Sequence, residues 1–204
     1  LINCGRVHNG LQGRNAVNHA LAAGFEHVNV DLMYGLPGQT YSSLRETLHE
    51  VCKWEIDHLS IYGLQIEEET LSEYLAAEGK LSLPVTEEEE AMYDWIQNYL
   101  PQQGFQRYEI SNFARSNGEC KQNLKYWNYE PYLGFGAAAC GFDGKGRLNH
   151  SGDLKEYFEW VSHLEVSQKL PENSEALSLK ELQGEYCFMN FRKKTGLSLR
   201  AFSK

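Results

Sequence analysis

Basic residues are scarce in this sequence: 19 Lys and Arg stand against 28 Asp and Glu, for a formal charge of −9. Phosphate backbones are bound by clustered Lys and Arg, so nucleic acid is excluded as the main partner. Much of the acidic excess sits in Glu67, Glu68, Glu69 and the run Glu87 to Glu90, which reads as acidic helix starts facing solvent. Also missing is any apolar run near the roughly 18 residues of a membrane-crossing helix. The first residues lack the basic flank and apolar stretch of a secretion signal, and the expectation is a cytoplasmic protein. Close-spaced cysteines are absent as well: Cys4, Cys52, Cys120, Cys140 and Cys187 lie at least twenty positions apart. That spacing excludes a compact zinc or redox pair and argues against a disulfide framework. Each cysteine is expected to be a small buried hydrophobe. There is no internal repeat and no low-complexity tract. Nor is there an initiator Met at Leu1, and the sequence reads as opening inside a larger protein and stopping abruptly.

What is present is an alternation of helix and strand patterns over the first hundred residues, which favours parallel α/β units over a sandwich. Ala16, Val17, Ala20 and Leu21 form a helical stripe that Gly24 is placed to end in a left-handed cap. His27 to Tyr34 reads as a buried strand, Pro37-Gly38 as a turn, and Leu44, Leu48, Val51 and Cys52 mark the next helix. His58 to Gln65 reads as a second buried strand. Thr86 and Glu89 have the spacing of a capping box ahead of the stripe Met92, Trp95, Ile96, Tyr99 and Leu100. Arg107 to Phe113 and Tyr132 to Phe142 are expected as further strands. Leu179, Leu182, Tyr186 and Met189 begin a new helix, and Leu199 and Phe202 promise another element.

Strands followed by helices gather their C-terminal ends on one face, where (β/α) barrels keep their chemistry. This singles out Asp31 and Tyr34 on one strand, and Tyr62 and Gln65 on the next. A carboxylate in the run Val28-Asn29-Val30-Asp31-Leu32 needs a partner, whether a ligand hydroxyl, an Arg or a backbone turn. Gly35-Leu36-Pro37-Gly38-Gln39-Thr40 resembles a phosphate loop only superficially, since the phosphate-reaching Lys is missing. Gly134-Phe135-Gly136-Ala137-Ala138-Ala139 lacks the third Gly of a dinucleotide fingerprint, although its small residues let backbone approach a flat ligand closely. Just before it, Asn123-Leu124-Lys125-Tyr126-Trp127-Asn128-Tyr129 and Tyr132 concentrate aromatics, suited either to core packing or to stacking on a planar ring.

The order of these pieces is more specific than any one of them. Gly5-Arg6-Val7-His8, Asp31-Leu32-Met33-Tyr34-Gly35-Leu36-Pro37-Gly38-Gln39-Thr40 and His58-Leu59-Ser60-Ile61-Tyr62-Gly63-Leu64 resemble the second half of the barrel in the oxygen-independent coproporphyrinogen III oxidase family. That family is a branch of the radical S-adenosylmethionine (SAM) proteins. Tyr108-Glu109-Ile110-Ser111-Asn112-Phe113-Ala114-Arg115, Asn123-Leu124-Lys125-Tyr126-Trp127 and Gly134-Phe135-Gly136-Ala137 resemble its haem-chaperone subgroup, and Leu179-Lys180-Glu181 is similar to the start of its C-terminal domain. The resemblance covers nearly the whole chain. It implies an α/β fold: the later strands of a partial TIM barrel over residues 1–172, then the start of a helical C-terminal domain over 173–204. It also implies that Arg6 binds a SAM carboxylate as a fork of donors and that Asp31 accepts from ribose hydroxyls. Tyr62 and Gln65 would lie along the adenosine, and Cys140 would line the adenine through its main chain. Asn123, Tyr126 and Trp127 would lie near a tetrapyrrole.

Departures from the family pattern qualify these expectations. The Cys-x-x-x-Cys-x-x-Cys loop that holds the family's [4Fe-4S] cluster is absent, so no cluster ligand and no catalytic residue is assigned, and the chain alone is expected to have no radical activity. Gln122 stands where the haem-chaperone pattern has His before the Asn, and Cys140 replaces a second family His. An amide is a poor axial ligand, whereas a thiolate can ligate iron. The reading is haem binding and delivery to an acceptor protein. A true oxidase that decarboxylates a porphyrinogen is the alternative, and a non-catalytic nucleotide-binding α/β module is the second. A strand near Val28 without barrel neighbours is expected to leave an open edge, giving self-association or a frayed N-terminus.

Overall fold

The computed structural model describes residues 6–167 and 174–202. The chain forms two compact units, residues 1–119 and 120–204. The boundary expected between 172 and 173 falls outside the described residues. Cys4 does so too.

The first unit runs α1 (Gly10–Ala22), β1 (Asn29–Tyr34), α2 (Tyr41–Val51), β2 (His58–Gly63), α3 (Leu71–Ala77), α4 (Thr86–Gln102), β3 (Gln106–Arg107) and β4 (Asn112–Ala114). Its strands form one sheet in the order β1-β2-β4-β3. β1 and β2 are parallel, with Asn29 opposite His58 and Asp31 opposite Ser60, and the remaining pairs are antiparallel. Asn9 caps α1 reciprocally with Gln12, and Thr40 caps α2 in the same way with Ser43, so each helix start is fixed by local hydrogen bonds. Gly24 takes the left-handed conformation after α1. The expected Thr86–Glu89 box does not form, because Thr86 is already helical and Val85 takes the cap position. The acidic side chains of that first turn are partly engaged elsewhere: Glu88 accepts from the Tyr41 amide at 3.2 Å.

One face of the sheet is apolar. Leu59, Ile61 and Phe113 pack with Leu44, Leu48 and Val51 of α2 and with Met92, Ile96 and Leu100 of α4 to form the core. Asp57 clips the strands together at one end. Its carboxylate accepts from the Val28 amide at 2.9 Å and pairs with His27, while its carbonyl accepts from the Arg115 amide at 2.8 Å. The segment expected as one strand from Arg107 to Phe113 is instead a hairpin. Glu109 accepts from the Ser111 amide at 3.0 Å and stabilises a turn between β3 and β4. β1 is also less buried than expected, because only β2 flanks it among the described residues.

The second unit contains α5 (Lys121–Trp127), β5 (Cys140–Phe142), β6 (Gly146–Asn149), α6 (Leu154–Ser167), β7 (Glu175–Ala176), α7 (Leu179–Phe191) and α8 (Leu199–Phe202). Its three strands form an antiparallel sheet in the order β5-β6-β7. Ser178 and Glu181 form the capping box that starts α7. The expected strand from Tyr132 to Phe142 is broken. Tyr132 bridges directly to Phe142, and the residues between loop out through Gly136 and Ala138, both at positive φ. No helix among the described residues is long and apolar enough to cross a membrane.

Candidate functional site

Side chains alternate across a sheet, and in the first unit the two faces differ sharply. While Leu59, Ile61 and Phe113 face the core, the opposite face carries Asn29 and Asp31 from β1, His58, Ser60 and Tyr62 from β2, and Asn112 from β4, joined by register. These polar groups are wired together. Asn29 Oδ1 lies 2.6 Å from His58 Nδ1 and accepts from the Ser60 hydroxyl at 3.2 Å, while Asn29 Nδ2 donates to Asp31 Oδ1 at 2.7 Å. His58 Nε2 lies 2.7 Å from the Tyr108 hydroxyl. His58 is 4% exposed, and burial holds its imidazole below its ordinary range, against the opposing pull of Asp57, Asp31, Glu109 and Glu119. Two acceptors on these segments, Glu109 Oε2 and Asn112 Oδ1, are buried without a protein partner.

Of the residues singled out from the sequence, Asp31 and Tyr62 therefore share one face. Asp31 is exposed, its partner is the neighbouring Asn29 amide, and Tyr62 is 43% exposed. Gln65 lies beyond the end of β2 at Gly63, in the following loop, and not on the strand as expected. Arg6 is exposed ahead of α1, and among the described residues no ion pair joins it to Asp31. The residues the sequence reading passed over are Asn29, His58, Ser60, Tyr108, Glu109 and Asn112. The signal was there in the polar residues at every second position of 29–31 and 58–62. Gly35 and Gly38, at positive φ, shape the loop after β1, where the Gln39 side chain bonds the Leu36 amide and the Met33 carbonyl; the turn reading of that glycine segment holds.

In the second unit, Asn123, Tyr126 and Trp127 are half-buried on α5, and Gln122 is exposed. The aromatic cluster engages its own unit. Tyr126 meets Tyr132 edge-on at 4.7 Å, Tyr129 lies 4.4 Å from Phe142, and the Arg192 guanidinium sits 4.5 Å from the Trp127 ring. The Tyr129 hydroxyl donates to Glu185 at 2.8 Å, and burial followed by that carboxylate raises its pKa. None of the described cysteines is the buried hydrophobe expected: Cys140 is exposed and Cys52, Cys120 and Cys187 are intermediate. Cys140 sits on β5 beside Tyr132, whose phenol is pushed up by burial first and by this neighbour next. Gly134 is required for packing against the chain itself, since a Cβ there would meet the Cys140 carbonyl oxygen at 2.5 Å.

No family model matches the sequence. Among curated proteins, the "Heme chaperone HemW" of Bacillus subtilis is 34% identical over 98% of this chain and 52% of its own length. The protein of the same name from Lactococcus lactis is 32% identical over 97% of this chain and 51% of its own. Among solved structures, the coproporphyrinogen III oxidase HemN of Escherichia coli, a radical SAM enzyme, superposes with a TM-score of 0.72 at 22% identity, over 98% of this chain and 48% of that one. The chain belongs to the HemN/HemW family of radical SAM proteins. It spans about half the length of the curated relatives it matches. Its fold is the α/β fold of the radical SAM enzyme, as the residue order led one to expect. HemN is a radical SAM enzyme, and the donor set here does not fit the iron-sulfur cluster of that chemistry. The five cysteines lack close spacing, and among the described residues no three His, Cys, Asp or Glu groups converge on a metal site. The strand face around Asp31, with directed acceptors and an open side, is suited instead to hydroxyl and amino groups of a polar organic ligand.

Proposed function

We propose that this chain is part of a haem chaperone that binds haem for delivery to an acceptor protein, and that it supplies one portion of a SAM site. The observation that carries this reading is the 34% and 32% identity, over nearly the whole chain, to two proteins named as haem chaperones. Residues 1–172 are read as the later barrel strands with their extension, and residues 173–204 as the start of the C-terminal domain.

In this reading Asp31 accepts from the ribose hydroxyls, Arg6 pairs with the ligand carboxylate as a two-pronged donor, and Tyr62 and Gln65 border the adenosine. The cluster that supplies radical chemistry in the family would be held by residues outside this donor set. Asn123, Tyr126 and Trp127 border the tetrapyrrole. With Gln122 at the position of the family His, binding rests on aromatic contact and on such sulfur ligation as the exposed Cys140 provides.

Haem titration followed by absorbance tests the reading. The wild-type chain is expected to bind saturably, and a variant carrying Tyr126→Ala and Trp127→Ala is expected to lose that binding. A shift of the Soret band in Cys140→Ala would identify the thiolate as ligand. Absence of saturable binding, or equal binding by the double variant, would overturn the assignment of these residues.

A further inference from the structure

The hydrogen bonds on the polar sheet face can run in only one direction. Asp31 is a carboxylate and offers acceptors alone, so the Asn29 amide must turn its Nδ2 toward it, as observed at 2.7 Å. Asn29 Oδ1 then points back and receives two donors: the Ser60 hydroxyl and, at 2.6 Å, His58 Nδ1. The proton of His58 is thereby placed on Nδ1. A neutral imidazole has a single N–H, so Nε2 must accept, and the Tyr108 hydroxyl 2.7 Å away is the donor. Burial favours that neutral form. The chain of donors runs Tyr108, His58, Asn29, Asp31. It ends on Asp31 Oδ1, and among the described residues no protein hydrogen bond is made to Asp31 Oδ2.

We infer that Asn29 and His58 are positioning residues which lock the Asp31 carboxylate in one orientation, so that its second oxygen is presented to a ligand hydroxyl. Without them an exposed carboxylate on an edge strand turns freely and loses orientation entropy each time it binds. His58 and Tyr108 touch no ligand in this scheme. They act through Asn29, whose buried neighbours leave it a single amide orientation. The inference deepens the SAM-site reading above and rests on it.

Two measurements on the full chain test it. Long-range proton–nitrogen correlation spectra report the tautomer of His58. The expected result is the Nδ1–H form in the wild type, giving way to Nε2–H or a mixture in Asn29→Ala. Binding of SAM by calorimetry is expected to be lost in Asp31→Asn. It should weaken about tenfold in Asn29→Ala, the worth of one hydrogen bond to a charged group. His58→Asn, which keeps a donor at the position of Nδ1, should retain affinity better than His58→Ala. An Nε2–H tautomer in the wild type overturns the inference. So does unchanged affinity in Asn29→Ala alongside loss in Asp31→Asn, a result that leaves the SAM site itself standing. If Asp31→Asn binds like the wild type, or if nothing binds, the SAM-site reading fails and the positioning role fails with it, whatever the tautomer.

Discussion

At the scale of single residues, His58 couples the polar face to pH. Its pKa is lowered in the folded protein, so below about 6.5, the ordinary imidazole value, the unfolded chain takes up a proton that the folded chain resists. The stabilising contribution is complete above that value and is lost as pH falls through the lower folded value. Urea unfolding measured from pH 7.5 down to 5 is expected to show stability falling more steeply in the wild type than in His58→Gln; equal slopes would refute the assignment. Thiol environments separate two cysteines in the same way. Burial pushes the Cys52 thiol up to about 11, whereas Cys140 is exposed. Since the thiolate is the reactive species, iodoacetamide near pH 8 is expected to modify Cys140 well before Cys52, as peptide mass mapping would show.

Among the structural elements, the sequence was most legible where a pattern met a local cap. α1, α2 and α7 each begin at a polar residue bonded reciprocally to the residue three positions on. The sequence misled where the helix began one residue earlier than its cap signature, with Thr86 inside the first turn and Val85 at the cap, or where a buried carboxylate made a turn, as Glu109 does inside what looked like one strand. It misled again at β1, which was read as buried but exposes Asn29 and Asp31, whereas β2 is buried over His58 to Ile61 as expected. Polar residues at every second position are the mark of a sheet with a core face and a site face, and attention to that period would have found Asn29, His58 and Ser60 beside Asp31. The family motifs pointed to Asp31 and Tyr62, which share one face, but not to Asn29 and His58, which are hydrogen-bonded beside Asp31. Two substitutions test the packing of these elements. Leu48, fully buried between sheet and helices, should cost about 2–5 kcal/mol as Leu48→Ala. Gly134→Ala places a Cβ 2.5 Å from the Cys140 carbonyl oxygen, and a relief of that clash by backbone shift should cost about 1–3 kcal/mol. Denaturant melts read both, and a neutral Gly134→Ala would show that the loop before β5 adapts freely.

At the scale of the whole molecule, the asymmetry of the first sheet decides how the chain behaves in solution. β2 is paired on both sides, by β1 and β4, whereas β1 has β2 as its only partner among the described residues. An unpaired strand edge exposes backbone donors and acceptors that template association with another strand. Working against association, β1 carries Asn29 and Asp31 exposed on its polar face, and burying a carboxylate at a strand–strand junction without a partner is costly. The balance predicts weak, concentration-dependent self-association through β1, stronger in Asp31→Asn, where the charge is removed but the side-chain shape is kept. Sedimentation across a wide concentration range reads the first part. Amide exchange reads the second: alternate amides of Asn29–Tyr34 should exchange at rates near those of loops at low concentration and become protected as concentration rises, while the amides of β2 facing its two neighbours stay protected throughout. A strictly monomeric particle with every β1 amide protected would mean that the edge is already covered within the chain.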